Sequence, residues 1–254
     1  MLVEACVETV ASALAAERGG AGRLELCASL ADGGTTPSAG TIAAVAAHVE
    51  IPVFVIIRPR GGGFVYDDSE LDVMRRDIDA ARRLGADGLV FGVLRDDGRV
   101  DERRMKMLVD AAADLPVTCH RAFDLTPDLG DALETIVACG VRRVLTSGGA
   151  ATAIEGAGAL AALVARSAGR IGIVAGGGIR EAHVQALIRQ SGVREVHVRG
   201  TRVARTPQAP ATPTTAALAP VRLRKRLLDA EDAWEETDEE QIRALTTLAL
   251  SERA

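Results

Sequence analysis

Eight short runs of β-type residues recur along this chain, and each ends in polar, charged or glycine residues just before a helical stretch. Successive runs begin about 21 to 35 residues apart, the length that a strand, a helix and two short loops require. This order predicts a (β/α)8 TIM barrel with all strands parallel and its chemistry at their C-terminal ends. The runs are Leu2–Cys6, Arg23–Cys27, Val53–Arg58, Gly88–Leu94, Pro116–His120, Arg143–Thr146, Gly172–Ala175 and Glu195–Val198.

Length and composition agree with one such domain. The chain has 254 residues, the usual size of a single barrel. Hydrophobic residues make up 48% of it, enough for a full core, although aromatic residues are only 2%. We therefore predict one domain over 1–254, with a loop rich in proline, alanine and threonine at about 201–220 and a closing helix at about 238–251.

The same composition argues against several classes of partner. A net charge of −5 and the scarcity of aromatic rings do not suit a nucleic-acid ligand. No apolar stretch is long enough to cross a membrane, and a strand begins almost at the first residue, where a signal peptide would need space. Four cysteines without a secretion signal indicate reduced thiols in the cytoplasm. No nucleotide cofactor is predicted, because the chain has no Walker or dinucleotide fingerprint.

Side-chain alternation places a polar cluster inside the predicted barrel. In strands one, two and eight, alternate residues are apolar and must face the helices, so the intervening polar residues face inward. A purely structural interior consists of branched apolar layers, and each buried charge costs several kcal/mol unless it is paired. A functional role is therefore favoured for the inward-facing set, which is Glu4, Cys6, Glu25, Cys27, His197 and Arg199.

Further charged groups follow strands three and five. Arg58 and Arg60 precede a glycine run and could hold a carboxylate or phosphate through paired hydrogen bonds. His120 could move a proton near neutral pH, with Asp124 fixing its tautomer or neutralising an arginine such as Arg121. The alternative is an ion-pair network that only fills the top of the barrel.

A second anion-binding signal follows strands six and seven. Thr146 and Ser147 supply hydroxyls and backbone amides, and a glycine triplet after strand seven leads into a helix expected to begin near Arg180. Barrel enzymes commonly hold phosphate at this position, on backbone amides and a helix N-terminus. Arg199 on strand eight would face the triplet, which is Gly176, Gly177 and Gly178.

Cys6 and Cys27 end adjacent strands, so their side chains should lie close together. Two thiolates at short separation suit a soft ion such as Cu(I), whereas zinc would require two more ligands. Buried cysteines that only fill space are the alternative. For Cys119 and Cys139 we expect packing roles.

Several motifs, in order over about 200 residues, closely resemble the copper homeostasis protein family CutC. The resemblance implies a cytoplasmic TIM barrel associated with copper tolerance and Cu(I) binding, with a proposed ligand pair that falls on Cys6 and Cys27. It also favours a dimer or tetramer. The matching motifs are Glu4-Ala-Cys6, Leu24-Glu-Leu-Cys27, Ile57-Arg-Pro-Arg-Gly61, Cys119-His-Arg-Ala-Phe-Asp124, Leu145-Thr-Ser-Gly148 and Glu195-Val-His197.

Two function classes follow. The first is a copper-handling protein that binds Cu(I) through the cysteine pair. The second is an isomerase, epimerase or lyase acting on a small anionic or phosphorylated metabolite. Arg58, Arg60 and the glycine triplet would bind that metabolite, and proton transfer would fall to Glu4, Glu25, His120 and His197. An inert oligomeric scaffold is a third hypothesis.

Overall fold

The computed structural model describes residues 1–205 and 233–252. Eight strands pair in chain order, and β1 pairs with β8 to close the barrel. Every one of these pairings is parallel, which confirms the predicted (β/α)8 architecture. Strands β1 to β8 are Leu2–Val7, Arg23–Leu26, Val53–Ile56, Gly88–Phe91, Val117–Cys119, Arg143–Thr146, Gly172–Gly176 and Glu195–Val198.

Helices pack against the outer face of the barrel. Outward-facing strand residues such as Val3 and Val55 share one apolar core with helix residues such as Ile42 and Met74. No helix in the described ranges is both long and apolar enough to cross a membrane. Helices α1 to α8 are Val10–Arg18, Ala39–His48, Asp68–Arg83, Glu102–Ala112, Leu129–Ala138, Ala157–Ser167, Val184–Ser191 and Glu239–Ser251.

Helix α3 shows how local sequence sets these elements. Asp67 accepts a hydrogen bond from the Glu70 amide, and the Glu70 side chain accepts one from the Asp67 amide, which completes a capping box. Apolar residues then recur every three or four positions and form one buried stripe, while charged residues occupy the solvent side. The stripe is Leu71, Met74, Ile78 and Ala81.

A second, two-stranded sheet follows the barrel. Strands β9, Thr201–Arg205, and β10, Ala233–Thr237, pair antiparallel, with Thr201 opposite Thr237. The prediction of a loop from about residue 201 is therefore wrong for its first five residues, because they form a strand. The remainder of that predicted loop, 206–220, lies outside the described residues.

One glycine inside the barrel is required by packing. Gly88 on β4 faces the Phe54 ring on β3, and a Cβ at Gly88 would lie 2.5 Å from Phe54 Cζ. No real Cβ approaches a ring carbon so closely, so any side chain at this position must displace the ring. In contrast, a Cβ at the exposed helical Gly158 would meet no atom within 4 Å.

The same glycine-to-alanine change should therefore have opposite effects at these two positions. We expect Gly88→Ala to lower the free energy of unfolding by about 1–3 kcal/mol, because it overpacks the interior. We expect Gly158→Ala to raise it by about 0.4–1 kcal/mol, because alanine restricts the unfolded chain. Urea denaturation measures both, and a destabilising effect of equal size in both variants would contradict this account.

Candidate functional site

The two cysteines at the C-terminal ends of β1 and β2 form a close thiol pair. Cys6 and Cys27 are buried and free, with their sulfur atoms 3.2 Å apart. The Cys27 amide donates to the Val7 carbonyl at 3.0 Å, which fixes the register of the pair. Glu25 is the nearest carboxylate, and its Oε1 lies 3.7 Å from the Cys6 sulfur. Its Oε2 is buried and has no hydrogen-bond partner in the described chain.

Both thiols are held in the protonated form. The hydrogen bond with Cys27 and burial raise the pKa of Cys6 well above its usual value. The hydrogen bond from Cys6 lowers the pKa of Cys27, but burial outweighs it and leaves that pKa raised. Because only a thiolate binds a metal, an ion that enters this site must displace the thiol protons.

Below the thiols, Glu4 joins three strands. Its carboxylate accepts hydrogen bonds from Arg23 on β2 and from His197 Nδ1 on β8, the latter at 2.7 Å. Burial raises the pKa of Glu4, but the hydrogen bond from His197 and the charge of Arg23 outweigh it and hold the pKa at about 2. Glu4 is therefore ionised at neutral pH although it is fully buried.

His197 is the cation of this cluster. Burial lowers its pKa, but the charge of Glu25 and hydrogen bonds with Cys6 and Glu4 outweigh burial and raise the pKa well above the usual value. An imidazolium therefore lies next to the Cys6 thiol at neutral pH. Positive charge at this position would compensate a thiolate.

Glu25 connects the thiols with the imidazole. Burial raises the pKa of Glu25 to about 6, against the opposing charge of His197. Its ligand atoms lie within 4.8 Å of those of both cysteines, and also within 4.8 Å of those of Glu4 and His197. These two overlapping groups can offer sulfur, nitrogen and oxygen donors to one metal ion.

The sequence-based prediction missed Arg23, which lies at the bottom of the site. Arg23 is almost fully buried and bonds Glu195 at 2.6 Å in addition to Glu4. Arg143 also bonds Glu195, and both guanidinium groups lie about 5 Å from the centre of the Phe54 ring. Arg23 has the same parity along β2 as Glu25, so the alternation rule could have identified it.

Arg58 and Arg60 are already occupied by protein groups. Arg60 is exposed and forms an ion pair with Glu70 at the start of α3. Arg58 is buried, and its terminal nitrogens donate at 2.6–3.0 Å to three backbone carbonyls. Neither arginine presents a free pair of terminal nitrogens to a ligand. The three carbonyls belong to Asp32, Gly34 and Gly62.

Asp124 links the loops that follow β5 and β6. It accepts hydrogen bonds from Arg121 Nε at 2.7 Å, from the Ser147 amide at 3.1 Å and from the Thr146 hydroxyl. Of the two predicted roles, Asp124 therefore neutralises Arg121 and makes no bond to His120. These four residues form an ion-pair and hydrogen-bond network, which agrees with the alternative of an ion-pair plug at this position.

His120 lies apart from that network and is buried. Burial and the charge of Arg58 lower its pKa to about 3. The Nδ1 atom accepts a hydrogen bond from the Ala122 amide at 3.3 Å. The ring is therefore neutral throughout the physiological range, and proton transfer by His120 near pH 7 does not fit this environment.

The glycine triplet serves close packing. A Cβ at Gly176 would lie 2.5 Å from a Leu145 methyl carbon, and one at Gly177 would lie 3.2 Å from Arg121. Gly178, with φ of +66°, adopts a left-handed conformation. Helix α7 begins at Val184 rather than near Arg180, so the triplet does not lead directly into a helix N-terminus.

The mouth of the barrel above the thiols is narrow. Arg199 forms an ion pair with Glu235 on β10, and with Cys6 and Leu30 these residues line a cavity of about 10 Å³. That volume holds about one water-sized group, far less than the roughly 300 Å³ of a small metabolite pocket. A larger cavity of about 830 Å³ lies between the starts of α4 and α5, and no predicted site residue lines it.

Most of the chain matches one known protein family. The family model described as "CutC family" matches residues 1–202. The chain belongs to the CutC family. Relatives named copper homeostasis protein cutC homolog are 50% identical in Mus musculus and 49% identical in Homo sapiens. These alignments cover 77% and 79% of this chain, and 72% and 74% of the mouse and human proteins.

Solved structures agree with this assignment. A crystal structure of a CutC protein from Streptococcus agalactiae superposes with a TM-score of 0.75 at 37% identity, over 78% of this chain and 97% of that one. Phosphoribosylanthranilate isomerase from Thermotoga maritima superposes with a TM-score of 0.58 at 12% identity, over 99% of both chains. The latter likeness is one of fold alone.

The buried carboxylate of Glu4 in this CutC-family site should be essential to folding. We expect Glu4→Gln to lower the free energy of unfolding by about 3–5 kcal/mol, because it removes the buried carboxylate that Arg23 and His197 share. Asp72→Asn is the matched control, since it breaks an exposed pair with Arg76 and should cost at most about 0.5 kcal/mol. Urea denaturation compares the two, and near-equal losses would contradict the structural role of Glu4.

Proposed function

We propose that this CutC-family protein handles copper in the cytoplasm by binding Cu(I) through Cys6 and Cys27. The observation that carries this proposal is the thiol pair, two buried free sulfur atoms 3.2 Å apart. Soft thiolate ligands favour Cu(I) over harder ions. The names of the mouse and human relatives, which refer to copper homeostasis, support the same function.

The surroundings of the thiols suit a monovalent soft ion. Replacement of two thiol protons by one Cu(I) adds a negative charge, which the neighbouring His197 imidazolium compensates. Glu25 accepts a hydrogen bond from Cys6, and its unpartnered Oε2 is available as a third donor. On the other side, Phe54, Ile56 and Val90 pack against the cysteines and limit the access of water.

The size of the mouth favours an ion over a metabolite. The cavity that reaches Cys6 has room for about one water-sized group. The arginines predicted to hold an anionic metabolite are also paired with protein groups: Arg60 with Glu70, Arg121 with Asp124, and Arg199 with Glu235. Copper binding at the thiol pair is therefore better supported than a metabolite site at these three arginines.

Replacement of the thiol pair should abolish copper binding. We expect Cys6→Ser/Cys27→Ser to lose Cu(I) to a chromogenic chelator under anaerobic conditions, whereas the parent protein should retain one equivalent. The physical reason is that a serine hydroxyl does not become an anionic ligand at neutral pH.

The matched control is Cys119→Ser/Cys139→Ser, which removes the same number of thiols. Cys119 and Cys139 belong to the core outside the barrel, and burial raises their pKa values to about 12 and about 11. This control should bind Cu(I) like the parent. Unchanged affinity in the Cys6/Cys27 variant, with circular dichroism showing the fold intact, would overturn the proposal.

A further inference from the structure

Arg58 carries a buried positive charge that has no acidic partner in the part of the chain that the structure describes. Its side chain is nearly inaccessible, and its terminal nitrogens bond only to backbone carbonyls. Its Nε also has no hydrogen-bond partner among the described residues. A buried guanidinium without a counter-ion is costly, so this arrangement favours the binding of an anion.

His120 presents a second free donor beside this charge. Since Nδ1 accepts from the Ala122 amide, the proton of the neutral ring lies on Nε2. His120 Nε2 is buried and also has no partner within the described ranges. Because burial and Arg58 keep the ring neutral, the tautomer and its Nε2–H donor persist across the physiological pH range.

Tyr66 supplies a third hydrogen-bond donor. Its hydroxyl is buried and has no partner at normal hydrogen-bond geometry among the described residues. Burial raises the pKa of Tyr66, and the charge of Arg58 and its contact with the hydroxyl oppose that rise. Each unsatisfied buried donor costs about 1–3 kcal/mol, so a buried cation with one such donor of its own and two more nearby is unlike ordinary packing.

Phe64 lies against two of these three groups. Its ring centre lies 4.8 Å from that of His120 and 4.9 Å from Arg58 Cζ. The ring is half-buried and follows three glycines, and a Cβ at Gly63 would meet no atom within 4 Å. The loop before Phe64 therefore has open space beside it at Gly63.

We propose that Arg58, His120 and Tyr66 form a binding site for a small carboxylate. One guanidinium balances one negative charge, so a monoanion fits better than doubly charged phosphate. A carboxylate has about four acceptor positions, enough for three donors, and a bond from a charged donor is stronger than a neutral one. This site goes beyond the copper proposal, because it uses neither cysteine.

The test compares small anions at equal ionic strength. We expect formate and acetate to raise the melting temperature of the full chain in a saturable manner, with chloride and inorganic phosphate weaker. Tyr66→Phe should weaken formate binding about tenfold, the equivalent of one hydrogen bond of about 1.4 kcal/mol. This variant should fold, since the hydroxyl has no partner in the described chain.

A second pair of variants addresses His120. His120→Phe should also weaken formate binding about tenfold, and His120→Gln should restore it in large part because its amide supplies an N–H donor. Cys6→Ser/Cys27→Ser should bind formate like the parent, so failure of the copper proposal and failure of this one are distinguishable. Equal stabilisation by all four salts, no saturable effect, or an unaffected Tyr66→Phe variant would overturn the carboxylate site.

Discussion

The ionised carboxylate of Glu4 is the interaction on which the rest of the interior depends. Strand β1 lies between β8 and β2, and Glu4 bonds His197 on one side and Arg23 on the other. One buried group thus stabilises the closure of the barrel and helps to keep His197 charged beside Cys6. The Glu4 carboxylate therefore contributes both to barrel closure and to the electrostatics of the thiol pair.

Strand-level features were predictable because they follow simple periodicities. The spacing of the β-type runs predicts the parallel barrel, and a period of two along strands one, two and eight places Glu4, Cys6, Glu25, Cys27 and His197 in one interior volume, where the structure has them. These inferences depend only on pleat geometry, which every strand obeys. Arg23 obeys it too, but a basic residue at the first position of a strand resembles a solvated end.

Loop-level features were not predictable, because loops have no such period. The sequence predicts that the terminal nitrogens of Arg58 hold a ligand, but the carbonyls that occupy them come from the loop after β2 and from Gly62 in its own loop. The sequence predicts that Arg199 faces the barrel interior. In the structure it forms an ion pair with Glu235 on β10, the strand that pairs antiparallel with β9. Such partners depend on tertiary paths that neither composition nor alternation encodes.

The origin of Glu235 has a consequence for divergence within the family. The match to the CutC family ends at residue 202, so Arg199 lies inside it while Glu235, which completes the rim above Cys6, lies beyond it. The two thiols thus lie within the matched residues, whereas part of the entrance that leads to them does not. Relatives could keep the same two sulfur atoms while evolving a different rim, and hence different rules for what reaches them.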